Sequence, residues 1–203
     1  MLFASVPGGD TIKATAWYLN GTTSSATLQK ATLGQYSSGL GICYPGEDCT
    51  NPNHQVDNNM FDEYILFEFS SPIDPSTVNI TSTYTGDLDV TYWLGGTAGQ
   101  TMNLTGLTTS LTGLGFGVQN DNLGTATGSR TVDLSGGVPA GPVNAILFGA
   151  KYLDSDDYFK VGGMAGISTV TTAVPEPSSV ILLLTAGLAG WRWSRRAKRQ
   201  QTA

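Results

Sequence analysis

The sequence predicts an all-β fold, an antiparallel β-sandwich of jelly-roll or immunoglobulin-like type, followed by a single C-terminal transmembrane helix. Three observations carry that expectation. Short apolar runs with period-two alternation recur as far as Ile167. Gly- and Pro-containing turn pairs separate them, and no amphipathic helical pattern precedes residue 178. The last apolar run, Val180 to Gly190, lies between a proline pair and a basic terminus. The implied organisation is a β domain over 1–167, a tether over 168–177, a helix over 178–194 and a basic tail over 195–203.

Ile12, Ala14, Ala16 and Tyr18 alternate through the first expected strand. Tyr64 to Phe69 sets Ile65, Phe67 and Phe69 on one face and Tyr64 and Leu66 on the other, the pattern of a central strand buried on both sides. Leu88, Val90, Tyr92 and Leu94 face inward from a further strand. Leu114, Phe116 and Val118 alternate with small or polar residues. Val143–Tyr152 and Tyr158–Ile167 complete the set. Ser71-Pro72, Asp74-Pro75, Gly95-Gly96, Gly136-Gly137 and Gly141-Pro142 read as turns, with longer surface loops over 95–113 and 119–130. Trp17 and Trp93 can either pack in the core or stack on sugar rings.

Charge is divided sharply along the 203-residue chain. Residues 1–174 carry 15 acidic and 5 basic side chains, a charge of −10, against +4 for the remainder, which together give −6. So acidic a body has no electrostatic footprint for nucleic acid. Cys43 and Cys49 bracket Tyr-Pro-Gly-Glu-Asp, and the Pro45-Gly46 turn lets the two sulfurs approach. A local disulfide is expected in an exported protein, the alternative being two free thiols.

Asn53 to Asn59 is the densest polar segment and holds His54, the single histidine. Asp57, Asn58 and Asp62, with Glu63, offer oxygen ligands of the type Ca²⁺ prefers. The competing reading has Asp57 and Asn58 bonding loop backbone as Asx turns. Asp154-Ser155-Asp156-Asp157 resembles the opening of a calcium loop, but the later loop positions are absent and a solvated hairpin turn is expected. Asp87 and Asp89 are expected to face solvent. A Ser/His/Asp triad would have to use His54 and no Gly-x-Ser-x-Gly elbow accompanies it, so no catalytic residues are assigned.

Pro175 and Pro177 hold Val174 and Glu176 extended, which leaves a stiff peptide that a processing enzyme can read. Helix can start at Ser178 or Ser179. The sixteen residues from Ser178 to Trp193 reach about 24 Å, marginal for a hydrocarbon core of about 30 Å. Val180, Ile181, Leu182, Leu183, Leu184, Leu188 and Trp191 form the anchor, and a snorkelling Arg192 lengthens it. The cluster Arg195, Arg196, Lys198 and Arg199 belongs in the cytoplasm, which places the preceding residues across the membrane.

This order, Val174-Pro175-Glu176-Pro177-Ser178-Ser179, apolar helix and Arg-rich end, closely resembles the PEP-CTERM sorting signal of Gram-negative bacteria, also described as an ice-binding-protein C-terminal domain. The resemblance covers about residues 173–200. It implies that Pro175, Glu176 and Pro177 are recognised by an exosortase, a membrane protease-transpeptidase. It further implies a non-catalytic protein of the cell surface or extracellular matrix, with membrane lipid and extracellular polysaccharide as partners. A carbohydrate-binding module acting on exopolysaccharide is the alternative. No Thr-x-Thr array supports ice binding. Such proteins carry a signal peptide, and Met1 to Pro7 lacks the required basic and apolar regions, so a leader encoded upstream of Met1 is expected, the alternative being a tail-anchored chain whose terminal helix inserts by itself.

Overall fold

A computed structural model describes residues 1–4, 11–20, 27–48, 54–77, 79–83, 88–97, 108–110, 115–124, 128–137 and 141–165. The chain divides into two units, Met1–Val170 and Thr171–Ala203, and the second lies outside the described residues. The first is all-β. Its strands are β1 (Leu2–Ala4), β2 (Thr11–Asn20), β3 (Thr27–Lys30), β4 (Thr32–Tyr36), β5 (Gly39–Cys43), β6 (Val56–Asp57) and β7 (Asp62–Ile73). They continue with β8 (Asn79–Thr83), β9 (Val90–Thr97), β10 (Thr108–Ser110), β11 (Asn120–Asn122), β12 (Arg130–Asp133), β13 (Val143–Ala150) and β14 (Tyr158–Ala165).

The strands form two antiparallel sheets. The larger runs β10-β3-β2-β7-β13-β9-β11, with β1 added to β2; the smaller runs β12-β8-β14-β5-β4, with β6 added to β14. Alternation along the strands explains the packing. From the larger sheet, Ala14, Ala16, Ile65, Phe67, Tyr92, Leu94, Ile146 and Phe148 point to one side. There they share one buried cluster with Leu40, Ile42, Val132, Phe159 and Val161 of the smaller sheet. The rings of Phe148 and Phe159 meet edge to face across it, 6.1 Å between centroids.

The opposite face of the larger sheet is apolar as well. Trp17, Leu19, Leu28, Tyr64, Leu66, Trp93, Ala145 and Leu147 form a second buried cluster with Phe116. Strand β7 therefore buries both faces, as its unbroken apolar run predicts, and lies between β2 and β13. Trp17 and Trp93 are core residues, 4% and 5% exposed.

Several turn signals resolve differently from the sequence reading. Ser71-Pro72 lies within β7. Glu68 and Ile73 of β7 pair with Ala145 and Val143 of β13, so the ladder is irregular across this stretch. A proline, which has no N–H to give, fits there. Gly95-Gly96 lies within β9. A side chain at Gly95 would strike the Phe116 ring, so this glycine serves close approach where a turn was expected. Phe116 makes a single bridge to Gly95 and Val118 is 58% exposed, so the strand expected around them does not form; Leu114 lies outside the described residues. The two expected long loops contain the short strands β10 and β11. Asp74-Pro75 does turn, with Asp74 accepting from the Ser76 amide at 3.0 Å and leading into a 3-10 turn, Pro75–Thr77.

The Tyr64 hydroxyl is buried without a hydrogen-bond partner, and burial holds its pKa well above the usual phenol range. An orphan hydroxyl in a core costs about 1–3 kcal/mol. Tyr64→Phe should therefore leave urea-unfolding stability unchanged or raise it by about 1 kcal/mol; a loss of similar size would mean that the hydroxyl has a partner.

Candidate functional site

The polar residues of the Asn53–Asp62 region sort into two neighbourhoods. The first ties the sheets together. The connection from β13 to β14 crosses from the larger sheet to the smaller, and Asp157 sits at its end, 1% exposed. Its carboxylate accepts from the Asn58 amide at 2.9 Å and from the Asp89 backbone N–H at 3.0 Å. Asn58 answers by accepting the Asp157 N–H at 3.1 Å and donating to the Lys151 carbonyl at 3.2 Å. A buried carboxylate is stable only when its lone pairs are met this way.

Lys151 extends the network. Its ammonium lies 2.7 Å from Asp154 and 3.6 Å from Asp89. The bond to Asp154 raises the lysine pKa and lowers that of the aspartate. Asp89 also accepts the Gly124 N–H, so the expectation that it faces solvent is corrected: its side chain is 14% exposed. Asp87 lies outside the described residues. The Asp154-Ser155-Asp156-Asp157 segment spans the two sheets, where a hairpin turn was expected. The ligand atoms of Asp154, Asp156 and Asp157 lie within 4.8 Å of one another, but Lys151, Asn58 and the Asp89 amide engage them.

The second neighbourhood lies where β5, β6 and the head of β7 meet. Glu63 is 2% exposed; its Oε2 accepts the Asp57 N–H at 3.2 Å, while Oε1 is buried without a hydrogen-bond partner. Burial, then the charge of Asp57, holds the Glu63 carboxyl well above its ordinary range. Burial raises Asp57 too, against an Asx bond from the Asn59 N–H at 3.1 Å. His54 is 6% exposed, with Nε2 2.5 Å from the Asp48 carbonyl and Nδ1 3.4 Å from Glu47 Oε1. Gly41 makes this possible: a Cβ there would strike the His54 carbonyl. The Tyr44 hydroxyl, which donates to Met60 Sδ at 2.9 Å, feels Glu47, Glu63 and Asp57 together.

The three oxygen ligands expected from sequence thus have different neighbours. Asp57 belongs with Glu63, Glu47 and His54; Asn58 belongs to the Asp157 clasp; Asp62 accepts the Leu153 N–H and faces Asp154. Glu47 was missed, although its place inside the Cys-bracketed loop was a signal. Cys43 is disulfide-bonded, and Cys49 lies outside the described residues. So do Pro175, Glu176, Pro177, the anchor residues from Val180 to Trp191, and Arg195, Arg196, Lys198 and Arg199. Among the described residues no helix is long and apolar enough to cross a membrane.

Residues 173–196 match the family model of the PEP-CTERM protein-sorting motif. Exosortase recognises signals of this kind, and the motif implies export and C-terminal processing. No curated protein and no solved structure matches the chain.

Burial raises the Asp62 pKa to about 6 from an ordinary 3.8. The folded state thus holds this proton more tightly than the unfolded chain. Its stabilising effect is complete below 3.8 and is lost as pH rises through 6. Thermal unfolding followed from pH 4 to 7 should show a smaller fall of Tm in Asp62→Asn than in wild type; identical slopes would remove the raised pKa.

Proposed function

We propose that this chain is an exported, membrane-anchored, non-catalytic protein of the cell surface or extracellular matrix, sorted and processed through its C-terminal signal. The observation that carries the reading is the match of residues 173–196 to the sorting motif. In this reading Pro175, Glu176 and Pro177 are the peptide read by exosortase, and residues 178–194 hold the chain in the inner membrane until processing. The Arg195–Arg199 cluster keeps its terminus in the cytoplasm. The exported part is a β-sandwich, which the cluster shared by the two sheets supports. The disulfide at Cys43 suits an oxidising compartment. The non-catalytic reading draws support from Glu63: its carboxyl, held well above the usual range by burial and then by the charge of Asp57, is 2% exposed, out of a substrate's reach.

In cells that express exosortase, a Glu176→Ala, Pro177→Ala chain should accumulate at full length in the membrane fraction while wild type is shortened. Equal processing of the two would overturn the assignment of the motif.

One observation favours a second reading, binding to exopolysaccharide. Burial removes Trp17 and Trp93 as sugar platforms, yet Tyr18, Tyr44 and Phe61 form a partly exposed ring group beside Glu47. Saturable, sugar-competed binding on a glycan array, reduced at least about tenfold by Tyr44→Ala, is its expected result. Flat responses, or binding indifferent to Tyr44→Ala, would exclude it.

A further inference from the structure

We propose that the ring group of Tyr18, Tyr44 and Phe61, with Glu47 beside it, binds a sugar chain that carries free amines, through the ammonium groups of that chain. The inference rests on the exopolysaccharide reading above and names its sugar class.

Three elements build the surface. Tyr18 stands near the end of β2, Tyr44 follows the disulfide-bonded Cys43 that ends β5, and Phe61 directly precedes β7. The Phe61 ring centroid lies 5.0 Å from that of Tyr18 and 5.3 Å from that of Tyr44, with the planes 50° and 77° apart. Tyr18 and Tyr44 are 6.0 Å apart at 54°. All three residues keep part of their surface in water, and Met60, which accepts the Tyr44 hydroxyl hydrogen bond, is 70% exposed. Aromatic rings offer a sugar an apolar surface for its C–H groups and a π-system that attracts cations.

Charge selects among sugars. Burial first, then the charges of Glu47, Glu63 and Asp57, raise the pKa of the Tyr44 hydroxyl, so the potential at this ring is negative. Glu63 is the cross-strand partner of Tyr18 in the β2–β7 ladder, and its Oε1 is buried without a hydrogen-bond partner. The Glu47 side chain is 28% exposed, so a ligand can reach it. Residues 1–174 carry −10 in all, which steers cations towards the domain and turns uronic or sulfated chains away.

The fold holds one such arrangement internally. Lys160 Nζ lies 4.1 Å from the centroid of the Tyr36 ring, and the charge of Glu47 reaches that tyrosine too. The ring group offers the same chemistry to solvent. A basic peptide would bring ammonium groups without the C–H face that a sugar ring lays on aromatics, so the amino sugar fits this surface better.

The test uses the full-length chain in detergent at neutral pH and low salt, with titration calorimetry as the readout. The probes are a glucosamine hexamer, the same hexamer fully N-acetylated, and hexalysine. The glucosamine hexamer should bind saturably and at least about tenfold tighter than its N-acetylated form. Glu47→Gln and Tyr44→Ala should each weaken it by about tenfold. Asp133→Asn removes one charge from β12, at the far edge of the smaller sheet from β5 and β4, and should leave the affinity unchanged. Should Tyr44→Ala fail to fold, Glu47→Gln, which keeps the shape of its side chain, still carries the test. Equal binding of the two sugars, lost in Tyr44→Ala, would overturn the ammonium preference and leave the exopolysaccharide reading standing. No binding of either sugar would overturn both. Hexalysine binding as tightly as the amino sugar, or a loss in Asp133→Asn equal to that in Glu47→Gln, would reduce the attraction to bare charge and overturn the proposal.

Discussion

Burial of both faces of β7 is the constraint on which the rest of this domain depends. Glu63 to Phe67 are all buried, so the strand cannot sit at an edge and must have β2 and β13 on its flanks. Ile65 and Phe67 then belong to the core shared with the smaller sheet, and Tyr64 and Leu66 to the second cluster. At roughly 25 cal/mol per Å² of apolar surface, a doubly buried strand of large side chains is among the strongest terms available to a domain this size. A one-residue slip would exchange the two faces, and the different partners waiting on each side fix the register.

The same strand brings polar groups inside at its head. Glu63 precedes the apolar run and is carried under cover with it, beside Asp57 of β6 and the His54–Glu47 pair. Asp62, one residue earlier on the opposite face, meets the loop between β13 and β14. Charged residues at the start of a buried strand are therefore held in two separate settings, each with its own proton affinity. Asp157 and Asn58 close this end by exchanging hydrogen bonds over 99 residues of sequence, which binds the crossing between the sheets to the approach to β7.

The long strands were legible in the sequence because their evidence is local. Alternation in β2, β7, β9 and β13 is steep, and Val, Ile, Leu and aromatic residues carry it. The strands that were not anticipated, β1, β3, β4, β5, β6, β8, β10, β11 and β12, are two to five residues long. Runs so short give alternation little room to show and become strands because a neighbour's ladder is there to receive them. Pro72 and Gly95 misled for a related reason. Both residue types mark turns in isolation, but an irregular ladder and an approaching ring gave them places inside strands.

By itself the sequence determined the all-β class, the doubly buried central strand and the sorting tail. Each is written in contiguous residues: an alternation, an apolar run, or a proline pair followed by a greasy segment and a basic end. Tertiary structure decided which carboxylates keep company. Asp57, Asn58 and Asp62 are near neighbours in the chain, but a strand turns successive side chains to opposite faces and a loop turns them elsewhere, so they part. Glu47 and His54 meet, and the charge of Glu47 reaches Glu63, because β5, β6 and β7 pack beside one another, and the partner of Asp157 was fixed by a chain crossing that no local pattern encodes.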